Sequence, residues 1–277
     1  YGYTKRKEEK INIDFEEQIM EAVLKQNRIV VPVNALHKAQ EVLEIIRKIK
    51  LQMVQQKIEF PKVYLDGKLA IRHTYTYAGI LKKNFIPSGL IEVFDDSSRM
   101  EAIENPNSII LATAGMMSNG PITEYLKRLL VDQNTKLIIV SYCSEGTVGR
   151  KILEKTEYIK NSRKAGKSEK EIDKSINLFG KQLIVNAEVE RVTSLSTHAR
   201  QEELLSFLKN FEKTNVSSIL LNHGEEMTRE KFKKVIQEEL NIDEDKIHLY
   251  DKRNRFIFSK HGLEKIVPIQ EKNKKNK

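Results

Sequence analysis

Two histidines in the last third of the chain have the residue types around them that acid–base or metal chemistry requires. His198 lies in a polar Ser-Thr-His-Ala segment, directly before an amphipathic stretch that begins at Gln201. His223 follows an apolar run, and Gly224 comes directly after it. A histidine beside a helix N-terminus can contact a phosphate or transfer a proton near neutral pH, and a neighbouring glycine leaves room around a metal ligand. Alone, each is more often a capping or surface residue, so the hypothesis of a site depends on the pair.

Few further metal ligands accompany this pair. The sequence has no His-x-His-x-Asp-His cluster, and its single cysteine, Cys143, excludes both a multi-cysteine zinc site and a disulfide framework. We therefore predict that the chain carries part of an enzyme and not a whole catalytic centre. One cysteine fits a reducing compartment, and no apolar run approaches the roughly 20 residues of a membrane span, so we expect a cytoplasmic protein without membrane contact.

The elements that must position these residues alternate along most of the chain. Helical periodicity and short apolar runs follow one another, which predicts a parallel sheet covered by helices on both faces. The predicted helices cover Phe15–Gln26, Ala39–Ile49, Ala70–Lys83, Ile122–Leu130 and Thr147–Lys164, and the predicted strands cover Arg28–Val33, Lys62–Leu65, Leu90–Phe94, Ser108–Thr113 and Lys136–Ser141. Ligands of such sheets bind beyond the carboxyl ends of the strands.

Later parts of the chain are less regular. From Ile152 to about Lys181 the sequence is charged and weakly patterned, and we expect a surface excursion with a mobile break at Asn161–Ser168. A new apolar block begins near Leu183 and leads to the two histidine segments. The last predicted strands are Ile247–Tyr250 and Phe256–Phe258, and a solvated tail is expected after them.

Two loops after predicted strands are rich in small residues. The loop Ala112–Pro121 and the loop Ser141–Thr147 each lead into a helix, so backbone N–H groups and a helix N-terminus could bind a phosphate there. Neither loop has the Lys-Ser/Thr pair of a P-loop, and no Gly-x-Gly-x-x-Gly occurs, which argues against a nucleotide-dependent dehydrogenase. An ordinary strand-to-helix turn remains the alternative for each loop.

The net charge of +9 is concentrated in three segments. Residues 150–181 carry ten Lys or Arg against five acids, and residues 1–10 and 264–277 are also basic. Such clustering is compatible with nucleic-acid binding, and a solvated lysine-rich surface is the alternative. Glu145, Arg150 and Lys38 are charges near the candidate loops, where a solvated side chain is the default for each; Arg150, which opens the basic segment, is the best candidate for RNA contact.

Five segments in order resemble the metallo-β-lactamase β-CASP ribonucleases, the group that includes the cleavage and polyadenylation nuclease and its archaeal and bacterial relatives. They are residues 29–42 (Ile-Val-Val-Pro-Val-Asn-Ala-Leu-His-Lys-Ala-Gln-Glu-Val), 109–117 (Ile-Ile-Leu-Ala-Thr-Ala-Gly-Met-Met), 141–150 (Ser-Tyr-Cys-Ser-Glu-Gly-Thr-Val-Gly-Arg), 196–199 (Ser-Thr-His-Ala) and 221–225 (Leu-Asn-His-Gly-Glu). The chain departs from the family pattern at His37-Lys38, where relatives often have Gly-Arg, and at Arg200, where many have Asp.

The resemblance implies an α/β fold made of a parallel-sheet β-CASP cap domain, residues 3–190, and the C-terminal segment of a metallo-β-lactamase αββα core, residues 191–277. Tyr1-Gly2 matches the end of a family segment whose acidic residue would precede it, and the main metal cluster would precede it too. The family's motif B histidine matches His198, which implies contact with the scissile phosphate and protonation of the leaving oxygen. The motif C histidine matches His223, which implies a ligand to one of two zinc ions.

Two functions follow from the resemblance. The first is the β-CASP and RNA-specificity part of a zinc-dependent ribonuclease, inactive by itself, with Ser196, Gly146, Thr147 and Arg150 near single-stranded RNA. The second is a non-catalytic paralogue that binds RNA or acts as a scaffold, although both histidines argue against it because a binding module needs neither a ligand nor an acid. A homodimer is compatible with both.

Overall fold

The structure, a computed structural model, describes residues 13–82, 84–195, 199–211 and 216–269, without the side chains of residues 13 and 14. The described residues up to Leu195 form one compact unit, and those from Ala199 onward form a second. Within these ranges, none of the helices combines the length and the apolar character that a membrane crossing requires. Ser196, His198 and the expected C-terminal tail lie outside the described residues.

The first unit alternates helices with strands. Its helices are α1 (Ile13–Leu24), α2 (Lys38–Gln55), α3 (Lys68–Leu81), α4 (Asp96–Glu104), α5 (Ile122–Leu129) and α6 (Val148–Lys164), and its strands are β1 (Arg28–Pro32), β2 (Lys62–Asp66), β3 (Ile91–Val93), β4 (Ser108–Ala112), β5 (Thr135–Ile139), β6 (Ser175–Leu178), β7 (Lys181–Ile184) and β8 (Glu188–Arg191). The described central sheet has the order β3-β2-β4-β1-β5-β8 with parallel pairs throughout. The predicted α/β class with a parallel sheet is confirmed.

Alternate side chains of the central strands supply two different cores. On β1, Ile29 and Val31 pack with helices α1, α2 and α3, whereas Val30 between them packs on the opposite face with α5 and α6. This alternation follows from the two-residue period of a strand. β1, β4 and β5 are buried at every position, as expected for strands covered on both faces.

One charged residue is completely enclosed in this sheet. Lys136 of β5 has no exposed side-chain surface, and its ammonium nitrogen lies 2.8 Å from Glu21 of α1 and 2.9 Å from Glu188 of β8. The hydrogen bond from Lys136 is the main reason that the pKa of Glu21 falls to about 2. A buried ammonium requires such partners, so Lys136 fixes the neighbouring strand β8 as well as α1.

The region predicted as a surface excursion is largely ordered secondary structure. Its first part agrees with the predicted helix Thr147–Lys164, whereas the break at Asn161–Ser168 was placed too early and the hairpin after it was not predicted. Helix α6 continues past Asn161 to Lys164, and β6 and β7 form an antiparallel hairpin. The reason is a sparse set of buried apolar side chains, Ile152 and Ile159 on the helix and Leu178 and Leu183 on the hairpin, which is enough to hold the segment on the core. The many charges around them hid this pattern.

The second unit is smaller. Its elements are α7 (Gln201–Lys209), β9 (Ile219–Leu221), α8 (Glu226–Leu240), β10 (Ile247–Leu249), β11 (Asn254–Ser259) and β12 (Gly262–Pro268). β9 and β10 are parallel, β11 and β12 form an antiparallel hairpin, and α7 and α8 bury Leu205, Phe232 and Ile236 against β9 and β10. Strand β12 was not predicted, because only isolated apolar residues mark it.

Candidate functional site

Loops after several strands of the first unit converge at the carboxyl edge of its sheet. The closest approach is at Gly115, in the loop after β4: a β-carbon added there would lie 2.6 Å from Asn34 Oδ1 and 2.8 Å from Ser141 Oγ. Asn34 follows β1 and Ser141 follows β5, so three neighbouring strands place their loops within contact distance. A side chain on residue 115 does not fit this space, which explains the glycine.

The loop after β4 also binds the start of α6. The backbone N–H of Val148 donates to Ser118 Oγ at 3.2 Å, and that of Gly149 donates to the Met116 carbonyl oxygen at 3.1 Å. The next N–H, that of Arg150, donates to the side chain of Thr147 at 3.3 Å. The first three N–H groups of α6 are therefore engaged within the protein, and a phosphate could not bind them without displacing these partners.

Gly146, Thr147 and Arg150 lie together where the loop after β5 enters α6. Thr147 is the N-cap of the helix, and its hydroxyl also donates to the Ser144 carbonyl oxygen at 2.6 Å. Gly146 has a positive φ of 79°, is exposed, and has open space where a side chain would be. Arg150 donates through Nε to Glu154 Oε1 at 2.8 Å, and about a third of its side chain is exposed. The structure thus brings three of the candidate RNA-binding residues to one exposed corner.

A buried polar network stands at the end of β2, and the sequence did not reveal it. Asp66 is 3% exposed; its Oδ2 accepts from Arg99 Nε at 2.7 Å and from the Tyr125 hydroxyl at 2.9 Å. Burial, together with the nearby carboxylate, raises the pKa of Tyr125, so the hydroxyl remains a donor. The carbonyl of Asp66 accepts the N–H of Thr113 at 3.1 Å, and the network therefore also anchors the loop after β4.

The start of α2 carries side chains that tie this helix to other segments. Gln40 donates to Thr74 Oγ1 of α3 at 3.0 Å and to the Ala35 carbonyl oxygen at 3.2 Å. Lys38 is buried, and its ammonium donates to Glu41 and to the carbonyl oxygen of Leu195. The default expectation of a solvated Lys38 is wrong. Lysine is usually exposed, but here the hydrogen bonds to Glu41 and to the Leu195 carbonyl offset the cost of burying the ammonium. Glu145, by contrast, is exposed.

In the second unit, His223 stands at the carboxyl end of β9. It is exposed, has a φ of 61°, and is followed by Gly224 with a φ of 85°. Its backbone N–H donates to Asn222 Oδ1 at 2.8 Å, which supports this left-handed turn before α8. The turn presents the imidazole to solvent, a position in which its ring nitrogens can bind a metal ion.

A complete metal site is not found in the part of the chain that the structure describes. No group of three or more His, Cys, Asp or Glu side chains there is arranged to hold an ion. His223 fits one ligand of a zinc site, since its imidazole is exposed at a strand end, but one nitrogen donor cannot hold two ions. His198 and Ser196 lie outside the described residues.

The described residues form an α/β protein: a parallel sheet with converging loops is followed in the chain by a smaller unit that presents a histidine at a strand end. The family model of the Beta-Casp domain matches residues 39–152, and that of the Zn-dependent metallo-hydrolase RNA specificity domain matches residues 182–248. Together these two segments cover more than half of the chain. The chain belongs to the β-CASP family of the metallo-β-lactamase superfamily.

Curated relatives include transcription termination factors and an RNase J-like protein. The chain is 29% identical to the transcription termination factor FttA of Methanococcus maripaludis over 228 residues, which are 76% of this chain and 33% of that protein. It is 30% identical to the FttA of Methanosarcina mazei over 213 residues, 71% of the chain and 31% of the relative. It is 28% identical to an RNase J-like protein of Methanocaldococcus jannaschii over 237 residues, 82% of the chain and 50% of the relative. The chain thus spans about a third of the FttA proteins and half of the RNase J-like protein.

Proposed function

We propose that this chain is the β-CASP and RNA-specificity part of a zinc-dependent ribonuclease that cleaves RNA phosphodiesters. The observation that supports this most is the presence of both family matches in one chain, with His223 exposed at a strand end in the second of them. A ribonuclease needs a surface for the RNA and a reactive centre, and the chain offers residues for both. The complete enzyme would act on single-stranded RNA in the cytoplasm, and a homodimer is compatible with this role.

Each site residue has a separate part in this proposal. Two zinc ions, when bound, would supply a hydroxide and hold phosphate oxygens. His223 would be one of their ligands, and His198, in its protonated form, would donate a proton to the leaving oxygen. Ser196, Gly146, Thr147 and Arg150 would contact the RNA backbone. We place the border between the cap domain and the returning lactamase segment near residues 190 and 191.

The proposal is tested by binding and cleavage of an end-labelled single-stranded RNA, with zinc and with EDTA. We expect this chain alone to bind the RNA without cutting it, because one histidine ligand among its described residues cannot hold the ions. The complete enzyme should cut the RNA with zinc and stop with EDTA. Zinc-dependent cleavage by the chain alone would contradict our assignment of the site, and an inert complete protein that still binds RNA would favour the scaffold function.

Replacing Arg150 by Ala should weaken RNA binding. The guanidinium is shared with Glu154, so we expect a moderate loss of affinity, about threefold to tenfold, rather than loss of binding. If Arg150 contacts one phosphate, the slope of log affinity against log salt should become shallower by about 0.7. Titrations at several salt concentrations measure both quantities.

The matched control is Arg163→Ala on the same helix. Arg163 also pairs with a glutamate, Glu169, at 2.6 Å, but it lies near the other end of α6. Its replacement should leave the salt slope unchanged. An unchanged slope for Arg150→Ala, or equal changes for both variants, would show that Arg150 has no specific phosphate contact.

A further inference from the structure

An open groove of about 390 Å³ lies between helix α6 and strand β8 of the first unit. Its volume is within the range of ligand pockets, roughly 300 to 1,000 Å³. β8 is the last strand of the described central sheet, so no other described strand pairs with its outer side. Val189 of β8 packs in the core beneath α6, and Arg191, two residues later, points to the same face of the strand. One wall of the groove therefore carries Arg191, and the other wall is α6.

Two arginines stand at the end of the groove that is nearest the carboxyl edge of the sheet. Arg150 lies in the first turn of α6, Arg191 is the last residue of β8, and both line the groove. Burial raises the pKa of the Cys143 thiol, and the positive charges of Arg191 and Arg150 both oppose that rise. The two guanidinium groups therefore act on the same point in the loop after β5, and their positive potentials add there.

The charge of Arg191 is available for a ligand. Its side chain is exposed and has no ion pair or hydrogen bond within the described residues. Two carboxylates of the groove are engaged, since Glu154 accepts from Arg150 at 2.8 Å and Glu190 pairs with Lys160 at 2.6 Å. Four cations and three carboxylates line the groove in all, so its net charge is positive. An anion that enters the groove meets a guanidinium that no described carboxylate holds.

The backbone of RNA is the anion that this arrangement fits. A guanidinium can donate two parallel hydrogen bonds to one phosphate, which is why arginine is preferred at phosphate sites. Arg150 belongs both to the groove and to the exposed corner at the start of α6, so a strand bound at that corner can continue to Arg191. Thr156 and Asn161 add uncharged polar groups to the lining. Such groups suit the ribose hydroxyls of RNA, which an acidic peptide lacks.

We propose that the groove between α6 and β8 binds the backbone of single-stranded RNA, and that Arg191 holds one of its phosphates. This inference rests on the proposed function and extends it, because the RNA contacts proposed above for the first unit end at Arg150. Arg150 and Arg191 then hold different phosphates of one strand. All residues of this path belong to the first unit.

Titration of a fluorescently labelled single-stranded RNA with this chain, at several salt concentrations, tests the groove. Arg191→Ala should weaken binding about threefold to tenfold and make the slope of log affinity against log salt shallower by about 0.7, the value for one phosphate of a single strand. Arg191→Lys keeps the charge and should restore the slope, but only part of the affinity, because an ammonium lacks the paired donors. Both variants should keep the wild-type urea midpoint, since the replaced side chain is exposed.

The matched control is Arg72→Ala. Arg72 is also exposed and has no ion pair within the described ranges, but it lies on α3, which packs on the opposite face of the sheet. Its replacement removes the same charge and should leave both affinity and slope close to those of the wild type. Equal changes in Arg72→Ala and Arg191→Ala, or an unchanged slope in Arg191→Ala, would overturn the inference.

The double variant Arg150→Ala with Arg191→Ala separates the two contacts. If the arginines hold different phosphates, the losses of affinity should multiply and the slope should become shallower by about 1.4. A double variant with the slope of Arg150→Ala alone would show that Arg191 holds no phosphate of its own and would overturn the inference. A wild-type chain that binds no RNA would contradict the proposed function itself, whereas RNA binding without dependence on Arg191 would contradict only the groove.

Discussion

Asp66→Asn is expected to lower the free energy of unfolding by about 3 kcal/mol, because it leaves the Arg99 guanidinium without its buried partner. The carboxylate is 3% exposed and accepts hydrogen bonds from Arg99 and Tyr125, and an amide cannot replace both with the same geometry or charge. Urea unfolding should show a lower midpoint with an unchanged m-value.

Asp96→Asn is the control for this experiment. Asp96 pairs with the same guanidinium, with its Oδ1 at 2.5 Å from Arg99 Nη1, but its side chain is 97% exposed. Water solvates both charged groups when such an exposed pair is broken, so the pair contributes little to the free energy of unfolding. This variant should therefore unfold at nearly the wild-type midpoint. Equal midpoints for the two variants would mean that burial of Asp66 does not govern its contribution.

His198→Ala should lower kcat of the complete enzyme by two to four orders of magnitude, roughly the range for a lost general acid. RNA affinity and zinc content should stay close to those of the wild type, since the proposed role is proton donation and not metal binding. A substrate with sulfur in place of the leaving oxygen should recover much of the rate, because a thiolate leaves without being protonated. Single-turnover cleavage of both substrates measures the effect.

His261→Ala serves as a control for removing a histidine. His261 lies exposed in the turn between β11 and β12, and its replacement should leave both rates unchanged. Loss of zinc in His198→Ala would instead make His198 a metal ligand. If His198→Ala keeps its zinc but the sulfur substrate does not recover the rate, His198 is not the proton donor. Phosphate binding would then be the remaining role for this residue.

The sheet was predictable because its central strands are short runs of β-branched and other apolar residues. β1, β4 and β5 are buried on both faces, and apart from Arg28, Ser108, Thr135 and Lys136 at their starts their sequences are apolar. Loops that contain glycine mark the ends of β4 and β5. The hairpin β6–β7 escaped prediction because it buries only Ile176, Leu178 and Leu183, and its other positions are polar or exposed. Whether such a hairpin forms depends on the burial of a few side chains. A single sequence does not show which side chains are buried.

The polar part of the candidate site was less predictable. Gly146, Thr147 and Arg150 were candidates because they follow an apolar strand and open a helix, and their contact with RNA stays a prediction. The burial of Asp66 and Lys38 was not predicted, because charged residues are exposed in most proteins. Their partners Arg99 and Leu195, which make the burial possible, are distant in sequence. The sequence shows each of these residues, but it does not show which of them contact one another in the fold.

The border between the two family matches does not coincide with a border in the structure. The RNA-specificity match begins at residue 182, yet β8 lies within that match and hydrogen-bonds to β5 of the central sheet. Glu188 of β8 also neutralises the enclosed Lys136. A chimera that exchanged modules between relatives at residue 182 would place a foreign strand on β5 and leave the buried ammonium with one of its two carboxylate partners, Glu21, unless the foreign strand supplied the second. Evolutionary exchange of these modules is therefore constrained by one ion pair, and a crossover after Leu195 would leave that pair intact.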